Sequence, residues 1–274
     1  MNDLTPGSNG SGRAVAATVS ADTAEITLIV PVYNEEENIL PFLTEVKSRL
    51  RLPHRIIIVF DDDRDGTLKR RQEILQLDPT ILFLKNEHGR GVINAFKTGF
   101  SNASTRYIVP IMADLSDTPE TIGAMHDKIC EGYDLVVASR YCRGGKKIGG
   151  PFIKYLLSLT ANITLHKLTK IPIHDMTNAF IMHKKEILDK INIRSTGGFE
   201  ITMELIARAY ILGCKITEVP TTNRERAAGK SNFKFMQWVL KYLYWYFYIL
   251  IFSCVNRINS HFVRDTHRPA PNKP

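Results

Sequence analysis

Cysteine is scarce in this sequence and follows no metal-binding spacing. The four cysteines, Cys130, Cys142, Cys214 and Cys254, are scattered, and no CxxC pair occurs among them. Neither a disulfide framework nor a structural zinc site is therefore indicated. The scarcity fits a reducing, cytoplasmic setting.

A long uncharged apolar run and a secretory signal are absent as well. The uncharged stretch near the C-terminus, Tyr242–Val255, has 14 residues, whereas a helix needs about 20 to cross a bilayer. The N-terminal residues are rich in Gly, Ser, Ala and Thr and lack a basic region followed by an apolar run. We expect residues 1–24 to form a disordered leader.

Charge is divided unevenly along the chain. Residues 1–139 hold 14 Lys and Arg against 20 Asp and Glu, whereas residues 140–274 hold 22 against 8. This asymmetry predicts an acidic region able to hold a metal and a basic region facing phosphates, acidic lipid or nucleic acid, with a solvated basic surface as the alternative. No nucleic-acid-binding module is recognisable, so we expect no nucleic-acid partner.

Short β-branched runs alternate with amphipathic stretches from Glu25 onward. Strands are expected at Ile26–Val32, Arg55–Phe60, Ile81–Leu84, Tyr107–Ala113, Asp134–Ser139 and Lys215–Pro220. Helices are expected at Glu36–Leu50, Leu68–Leu77, Val92–Ser101, Pro119–Glu131, Phe152–Leu168 and Ile201–Leu212. This alternation requires β-α-β crossovers, so it predicts an α/β domain with a mostly parallel central sheet over residues 25–232.

The last element, Phe233–Val255, carries ten aromatic residues, including both tryptophans. Trp and Tyr favour the headgroup region of a membrane, and Lys can reach it from nearby. We interpret residues 233–256 as an amphipathic, membrane-associated helix followed by a tail over 257–274. A tilted span beginning near Phe233, an oligomer face and a buried core helix stay open as alternatives.

Ligands of open α/β sheets bind beyond the carboxyl ends of the strands, so residues that follow strands are site candidates. After the first strand, Pro31 stops the strand and Asn34 is placed to cap the next helix, while Tyr33 is an aromatic placed to stack on a base. After the second strand, Asp61, Asp62, Asp63 and Asp65 put four carboxylates in five residues. Such a cluster predicts a bound cation or polar ligand, with a plain Asp-Gly turn as the alternative.

A third cluster, Asp114 and Asp117, follows the fourth expected strand. Two short carboxylates can share one hard cation, Mg²⁺ or Mn²⁺, which would bridge a diphosphate. Asp117 has an alternative role as the N-cap of the helix opening at Pro119.

The basic half contains two glycine-containing loops with candidate phosphate ligands. Arginine presents a fork to phosphate, and glycine lets backbone N–H groups approach an anion. The candidates are Arg140, Arg143, Lys146, Lys147, Arg226 and Lys230. The lysines have solvent or lipid headgroups as alternative partners. Glu200 and Glu204 share a helix face that suits acid–base work, although a salt bridge from Glu204 to Arg208 is favoured.

Several short motifs occur in one order over residues 25–235: Pro31-Val-Tyr-Asn-Glu35, Asp65-Gly-Thr67, Asn86 with Gly89-Arg-Gly91 and Gly99, Ala113-Asp-Leu-Ser-Asp-Thr-Pro-Glu120, Ser139-Arg-Tyr141 and Arg226-Ala-Ala-Gly-Lys-Ser231. Together they resemble family 2 glycosyltransferases and, within these, the group of dolichol-phosphate mannosyltransferases and polyprenyl-phosphate glycosyltransferases. The resemblance implies a GT-A fold, an inverting mechanism, a UDP- or GDP-sugar donor and a polyisoprenyl phosphate acceptor. It also implies a peripheral or monotopic place on the cytoplasmic face of a membrane.

The resemblance further implies roles for single residues. The expected nucleotide-sugar-binding residues are Pro31, Tyr33, Glu35, Asp61, Asp63, Arg90, Ala113 and Asp114. The expected acceptor-phosphate ligands are Arg140, Lys146, Lys147, Arg226 and Lys230. The expected catalytic residues are Asp114, Arg140 and Asp175, of which Asp175 orients either the sugar or an arginine. The expected metal ligands are Asp114 and Asp117.

Four positions depart from the family's pattern. Phe60 is the first, since the family usually has an Asp-Asp pair where this chain has Phe60-Asp61. Met112 stands where the family usually has the first Asp of Asp-X-Asp, Ser116 stands where it has Gln, and Asn232 stands where a Lys is common. Met112 motivates a second hypothesis, a non-catalytic nucleotide-sugar-binding or membrane-tethering protein. A nucleotidyltransferase is a third, but the glycine-rich loop that it would need after the first strand is absent from Pro31–Glu35.

Overall fold

The computed structural model describes residues 24–226 and 235–266. The strands are β1 Ile26–Val32, β2 His54–Phe60, β3 Leu82–Lys85, β4 Tyr107–Pro110, β5 Leu135–Ser139, β6 Lys146–Ile148, β7 Ile181–Lys184, β8 Ile216–Pro220 and β9 Thr222–Arg224. The helices are α1 Ile39–Arg49, α2 Arg71–Leu77, α3 Val92–Asn102, α4 Thr121–Cys130, α5 Phe152–Thr169, α6 Lys185–Leu188, α7 Ile201–Ile211 and α8 Phe235–Thr266. A 3-10 helix, Gly66–Arg70, precedes α2.

Seven strands form the central sheet in the order β3-β2-β1-β4-β7-β5-β8. β1 pairs in parallel with β2 and β4, and β5 pairs in parallel with β8. Only β7 runs antiparallel within this sheet, between β4 and β5. The prediction of a mostly parallel α/β sheet is therefore confirmed, and the carboxyl ends of β1, β2, β4 and β5 lie at one edge.

Both faces of the sheet are covered, which explains why β1 is apolar and buried along its whole length. Ile29 faces a cluster that includes residues of α3, α5, α7 and α8. Its neighbours Leu28 and Val30 face the opposite cluster, which is covered by α1 and α4. Gly99 lets α3 approach β1 closely, because a Cβ at this position would lie 2.3 Å from Cγ2 of Ile29.

A second, two-stranded sheet joins the two basic loops of the sequence. β6 pairs in parallel with β9, with Lys146 opposite Thr222 and Ile148 opposite Arg224. The backbone N–H of Lys146 also donates to the carbonyl of Thr221 at 2.8 Å. The loops that contain the expected phosphate ligands are thus neighbours in space.

The prediction that Asn34 caps the first helix is wrong. α1 begins at Ile39, and its N-cap position is Asn38. Asn34 instead adopts a left-handed conformation with φ of 56°, and its side-chain oxygen accepts a hydrogen bond from the backbone N–H of Gly66 at 2.8 Å. The side chain of Asn34 therefore binds Gly66 in the loop after β2 instead of capping α1.

α8 is longer than expected and packs on the domain. It continues to Thr266, so residues 257–266, expected in a tail, are helical. α8 contacts α5 and α7, and its Trp245 and Ile249 are buried in the core. Within the two described ranges, no helix combines the length and apolar composition needed to cross a membrane. The leader expected over residues 1–24 lies, except for its last residue, outside the described residues.

Candidate active site

The loops after β1 and β2 are joined by reciprocal hydrogen bonds. Asp65 accepts from the backbone N–H groups of Asn34 at 3.0 Å and Thr67 at 2.9 Å. The hydroxyl of Thr67 accepts from the backbone N–H of Glu35 at 2.9 Å. These bonds fix the backbone beside Tyr33, whose side chain is 54% exposed and so free to stack on a flat ligand.

The carboxylates of the Asp-rich turn bind groups of the protein itself. Asp61 accepts from the side-chain amide of Asn86 at 2.9 Å and the backbone N–H of Gly91 at 3.0 Å. Asp62 accepts from Arg90 at 2.6 Å, and Asp63 pairs with Lys85. A hydrogen bond from the backbone N–H of Arg64 is the first cause that lowers the pKa of Asp62.

These contacts show how the protein accommodates the clustered carboxylates after β2. Neighbouring cations and amide groups balance their charge, so a metal ion is not needed to hold them together. Within the described part of the chain, no group of three or more His, Cys, Asp or Glu residues is arranged to hold a metal. Arg90, an expected nucleotide-sugar-binding residue, is held beside the loop after β2 by its ion pair with Asp62.

Asp114 and Asp117 lie close together after β4. The chain turns between them at Leu115, which has a left-handed φ of 62°. Asp114 is half-buried and accepts from the backbone N–H of Ser116 at 3.1 Å. Asp117 is buried and accepts from the side-chain amide of Asn223 at 3.1 Å. Burial first, and then the charge of Asp114, raise the pKa of Asp117 to about 6.

Because the charge of Asp114 helps to raise the pKa of Asp117, a divalent cation between the two carboxylates would relieve their repulsion, and the pair forms a suitable partial site for such an ion. Met112 is partly buried against the core and supplies no oxygen ligand. The two carboxylates would therefore fit a Mg²⁺ or Mn²⁺ ion that takes its remaining ligands from outside this pair. The alternative role of Asp117 as a helix cap is wrong, because α4 begins at Thr121 and its N-cap position is Glu120.

Arg140, directly after β5, is held by the buried Asp175. Its Nε donates to Oδ2 at 2.7 Å and its Nη2 to Oδ1 at 2.9 Å. The backbone N–H of Arg140 donates to the same carboxylate at 3.1 Å. Burial pushes the pKa of Asp175 upward, but the Arg140 charge and these hydrogen bonds hold it below its usual value. Asp175 is expected to orient either the sugar or an arginine, and in the structure it binds Arg140.

A polar network connects this pair to α5. Thr177 accepts from Arg140 at 2.8 Å and from the side-chain amide of Asn162 at 3.0 Å. The carbonyl oxygen of Asn162 accepts from the backbone N–H of Met176 at 2.7 Å. Ser158 lies 3.1 Å from Thr177. Sequence reasoning missed these residues, although Ser158 and Asn162 are four positions apart in a mostly apolar helix, which is a signal for one shared polar face.

Glu35 and Arg226 form an ion pair between the first loop and the end of β9. Nη2 of Arg226 lies 2.9 Å from Oε1 and 3.1 Å from Oε2 of Glu35. Glu35 also accepts from the side-chain amide of Asn38 at 2.6 Å. The ion pair thus joins Glu35, an expected nucleotide-sugar-binding residue, to Arg226, an expected acceptor-phosphate ligand. Lys230, the other expected ligand of this loop, lies outside the described residues.

The lysines of β6 differ in their surroundings. Lys146 is exposed, whereas the ammonium of Lys147 lies 5.9 Å from the centre of the Tyr155 ring, within the range of a cation–π contact. Both belong to the ribbon that carries Arg224. This pairing places both lysines beside the strand that leads to Arg226.

Glu200 and Glu204 are structural rather than free for acid–base work. Glu204 is buried and accepts from the backbone N–H of Ser195 at 2.7 Å and from Arg208 at 2.7 Å. Glu200 accepts from the backbone N–H groups of Gly197 and Gly198. The expected salt bridge from Glu204 to Arg208 is confirmed.

Comparisons with known proteins place the chain in a family. The profile of Glycosyl transferase family 2 matches residues 27–191. A dolichol-phosphate mannosyltransferase of Pyrococcus furiosus is 31% identical over 215 residues, which are 77% of this chain and 59% of that protein. The chain thus spans less than two thirds of this relative. A polyprenol monophosphomannose synthase of Mycolicibacterium smegmatis is 30% identical over 233 residues, 83% of this chain and 88% of that protein.

Solved structures agree on the fold. Glucosyl-3-phosphoglycerate synthase from Mycobacterium tuberculosis, in complex with Mn²⁺, uridine diphosphate and phosphoglyceric acid, matches with a TM-score of 0.60 and 16% identity, covering 85% of this chain and 79% of that one. The same enzyme with Mg²⁺ and uridine diphosphate matches with a TM-score of 0.60. At such identity the likeness shows the fold alone. This chain has a GT-A fold and belongs to glycosyl transferase family 2.

Proposed function

We propose that the protein is an inverting glycosyltransferase that moves a sugar from a UDP- or GDP-sugar to a polyisoprenyl phosphate at the cytoplasmic face of a membrane. The observation that carries the proposal is the meeting of two opposite kinds of group at one sheet edge. Asp114 and Asp117 supply carboxylates. Arg140 and Arg226 supply cations, which are held by the buried Asp175 and by the partly buried Glu35. Such an edge suits a reaction between two phosphate-bearing substrates.

The donor side rests on the loops after β1, β2 and β4. We propose that Tyr33 stacks on the nucleobase and that Asp61, Asp63 and Arg90 line the nucleotide pocket with Pro31 and Ala113. Asp114, with Asp117, would hold Mg²⁺ or Mn²⁺. When bound, such an ion supplies Lewis-acid stabilisation of the departing diphosphate. Solved structures of the same fold contain Mn²⁺ or Mg²⁺ together with uridine diphosphate, which supports a divalent ion in general and does not identify its ligands.

The acceptor side rests on the basic residues. A lipid phosphate is already anionic at neutral pH, so its attack on the sugar needs no strong general base, and positioning is the main task. Asp175 orients the guanidinium of Arg140 and neutralises part of its charge. Arg226, Lys146, Lys147 and Lys230 would add charge on the same side. The names of the two curated relatives support a polyprenyl phosphate acceptor and a mannosyl donor.

A panel of donors tests the proposal. The protein is incubated with polyprenyl phosphate in detergent and with labelled GDP-mannose, UDP-glucose or UDP-galactose, with Mn²⁺, with Mg²⁺ or with EDTA. Lipid-linked label that requires a divalent ion is the expected result. Calorimetry with each donor runs in parallel.

The same panel decides the second candidate, a non-catalytic nucleotide-sugar-binding protein. Met112 favours that candidate, because it removes one oxygen ligand from the expected metal site. Calorimetric binding of a donor without transfer of label under any metal condition would establish it and refute the enzyme.

A further inference from the structure

Asn223 on β9 contacts the more buried of the two candidate metal ligands. Its side-chain amide donates to Oδ1 of Asp117 at 3.1 Å, although the two residues lie 106 positions apart in the chain. Asp117 is only 7% exposed, so few groups can reach its carboxylate. The side chain of Asn223 therefore lines the same space as the carboxylates for which we propose a divalent cation.

The backbone on both sides of Asn223 is bound to the loop after β4. The carbonyl oxygen of Thr222 accepts from the hydroxyl of Thr118 at 2.7 Å. The backbone N–H of Arg224 donates to the carbonyl oxygen of Ser116 at 2.9 Å. These two bonds hold the side-chain amide of Asn223 at this loop whichever way the amide turns.

The pair of Asp114 and Asp117 lacks a third carboxylate. Met112 offers a thioether, a soft donor that suits Cu⁺ rather than Mg²⁺ or Mn²⁺. In residues 24–226 and 235–266, no three His, Cys, Asp or Glu side chains are grouped to hold a metal ion. A third protein oxygen would therefore have to come from another type of residue. The carbonyl oxygen of asparagine is a common ligand of hard cations.

The amide of Asn223 has a donor end and an acceptor end. In the structure its nitrogen faces Asp117, and in the described part of the chain its oxygen accepts no hydrogen bond. A cation beside the carboxylates would attract the oxygen and repel the N–H groups. A half-turn of the amide exchanges the two ends without moving the backbone. The side chain can thus hold Asp117 before a cation binds and hold the cation afterwards.

We propose that Asn223 is a third protein ligand of the divalent cation, and that its carbonyl oxygen replaces the carboxylate that is missing at Met112. The inference rests on the proposed function in one respect, since it needs a cation at Asp114 and Asp117. Because the amide is neutral, the two aspartates and a divalent ion together carry no net charge. The ion should therefore bind weakly alone and more tightly with a nucleoside diphosphate, which adds negative charge.

Mn²⁺ binding to the full chain tests the proposal without any sugar transfer. The electron paramagnetic resonance signal of free Mn²⁺ measures binding, first with Mn²⁺ alone and then with UDP or GDP. Loss of an outer partner of a metal ligand costs about 10- to 100-fold in affinity, so Asn223→Ala should weaken Mn²⁺ binding at least about tenfold. Asn192→Ala is the matched control, because Asn192 is an exposed asparagine between α6 and α7.

A role of Asn223 as a hydrogen-bond donor alone predicts a different result. Removing only a donor from Asp117 leaves that carboxylate less stabilised, so Mn²⁺ would bind equally well or more tightly. The double variant Met112→Asp/Asn223→Ala should recover the affinity for Mn²⁺, because it returns a carboxylate to the site. Asn223→Asp should raise the affinity without nucleotide. Thermal unfolding in EDTA shows which variants are folded, and for an unfolded one the rise of Tm with Mn²⁺ is the measurement.

Two results overturn the ligand role. One is unchanged or tighter Mn²⁺ binding by Asn223→Ala while Asp114→Ala loses binding. The other is a loss in Ser116→Ala that Asn223→Ala does not show, which would make the serine the third ligand. Mn²⁺ binding that depends on Asn223, without transfer of sugar by the wild type, refutes the proposed function and supports the ligand role. Absence of Mn²⁺ binding by the wild type, with and without nucleotide, overturns both.

Discussion

The guanidinium of Arg140 donates two hydrogen bonds to the carboxylate of Asp175, at 2.7 Å and 2.9 Å, in a part of the protein where Asp175 is fully buried. Breaking such a pair by neutralising one partner leaves the other charge without compensation. The pair therefore links the stability of the domain to the position of Arg140, for which we propose a role in binding the acceptor phosphate.

Asp175→Asn should destabilise the protein by about 3 to 5 kcal/mol, because it removes the buried counter-charge of Arg140, whose side chain is only 12% exposed. Urea unfolding measures the change. Asp134→Asn is the matched control, since Asp134 pairs with Lys184 at 2.6 Å but both side chains are partly exposed, at 23% and 17%. We expect the control to lose about 1 kcal/mol or less. Equal losses for the two variants would contradict the view that burial makes the first pair critical.

Asn162→Ala should reduce the transfer rate through the loop that it holds. Its side chain bonds to the backbone N–H of Met176 and to the Thr177 hydroxyl, so its removal leaves a buried N–H unpaired at a cost of about 1 to 3 kcal/mol. We expect a lower kcat and a nearly unchanged KM for the donor, because Asn162 holds the loop of Asp175, which the proposed function places on the acceptor side. Thr160→Ala, an exposed position on the same helix, is the control. A raised donor KM with an unchanged kcat would refute this positioning role.

His183→Leu should flatten the pH dependence of stability on the acid side. His183 is buried, and neither ring nitrogen has a hydrogen-bond partner among the described atoms. Burial lowers its pKa from 6.5 to about 3. Below about pH 6.5 the unfolded chain binds a proton at His183, whereas the folded chain does not bind one until about pH 3. The free energy of unfolding is therefore highest above pH 6.5, and it falls as the pH drops toward 3.

At pH 5, His183 should lower the free energy of unfolding by on the order of 2 kcal/mol relative to its value at pH 7.5. Urea unfolding at pH 7.5 and at pH 5 measures it. His183→Leu should recover most of that difference, whereas the exposed His88→Leu should leave it in place. An unchanged difference in His183→Leu would show that the imidazole is protonated within the folded protein at pH 5.

Arg226→Ala should weaken binding of the acceptor phosphate more than binding of the nucleotide-sugar donor. Arg226 extends from the end of β9 to Glu35 at 2.9 Å and is 20% exposed, and an arginine presents a fork of donors that matches a phosphate. We expect the acceptor KM to rise about tenfold and the donor affinity to change little. Arg224→Ala, an exposed neighbour on β9, is the control. A large loss of donor affinity would instead assign the Glu35–Arg226 pair to the nucleotide pocket.

The sequence was a good guide to elements that bury continuous apolar runs. β1 was predicted residue for residue, since all seven of its side chains are buried between two layers. β7 was missed because it is a four-residue strand that follows a polar loop. The antiparallel position of β7 between β4 and β5 depends on pairing with distant strands, which local pattern does not reveal.

The position of a candidate residue was predictable where it follows directly from a strand end. Asp114 and Arg140 lie beyond the carboxyl ends of β4 and β5, as predicted from the sequence, and their roles stay predictions. The contacts of Asp117 with Asn223 and of Asn34 with Gly66 join residues far apart in the chain, so no local rule predicts them. For the same reason the Asp-rich turn suggested a cation, whereas its partners include Lys85 and Arg90 from a later segment.

The most direct test of the central claim is the rate of sugar transfer to polyprenyl phosphate by wild type, Asp114→Ala and Asp127→Ala, each with saturating donor and Mn²⁺. Asp127 is an exposed carboxylate on α4 and serves as the matched control. The account predicts transfer by wild type and Asp127→Ala and a loss of at least about 100-fold in Asp114→Ala. Transfer by Asp114→Ala at the wild-type rate, with the same dependence on Mn²⁺, would contradict it.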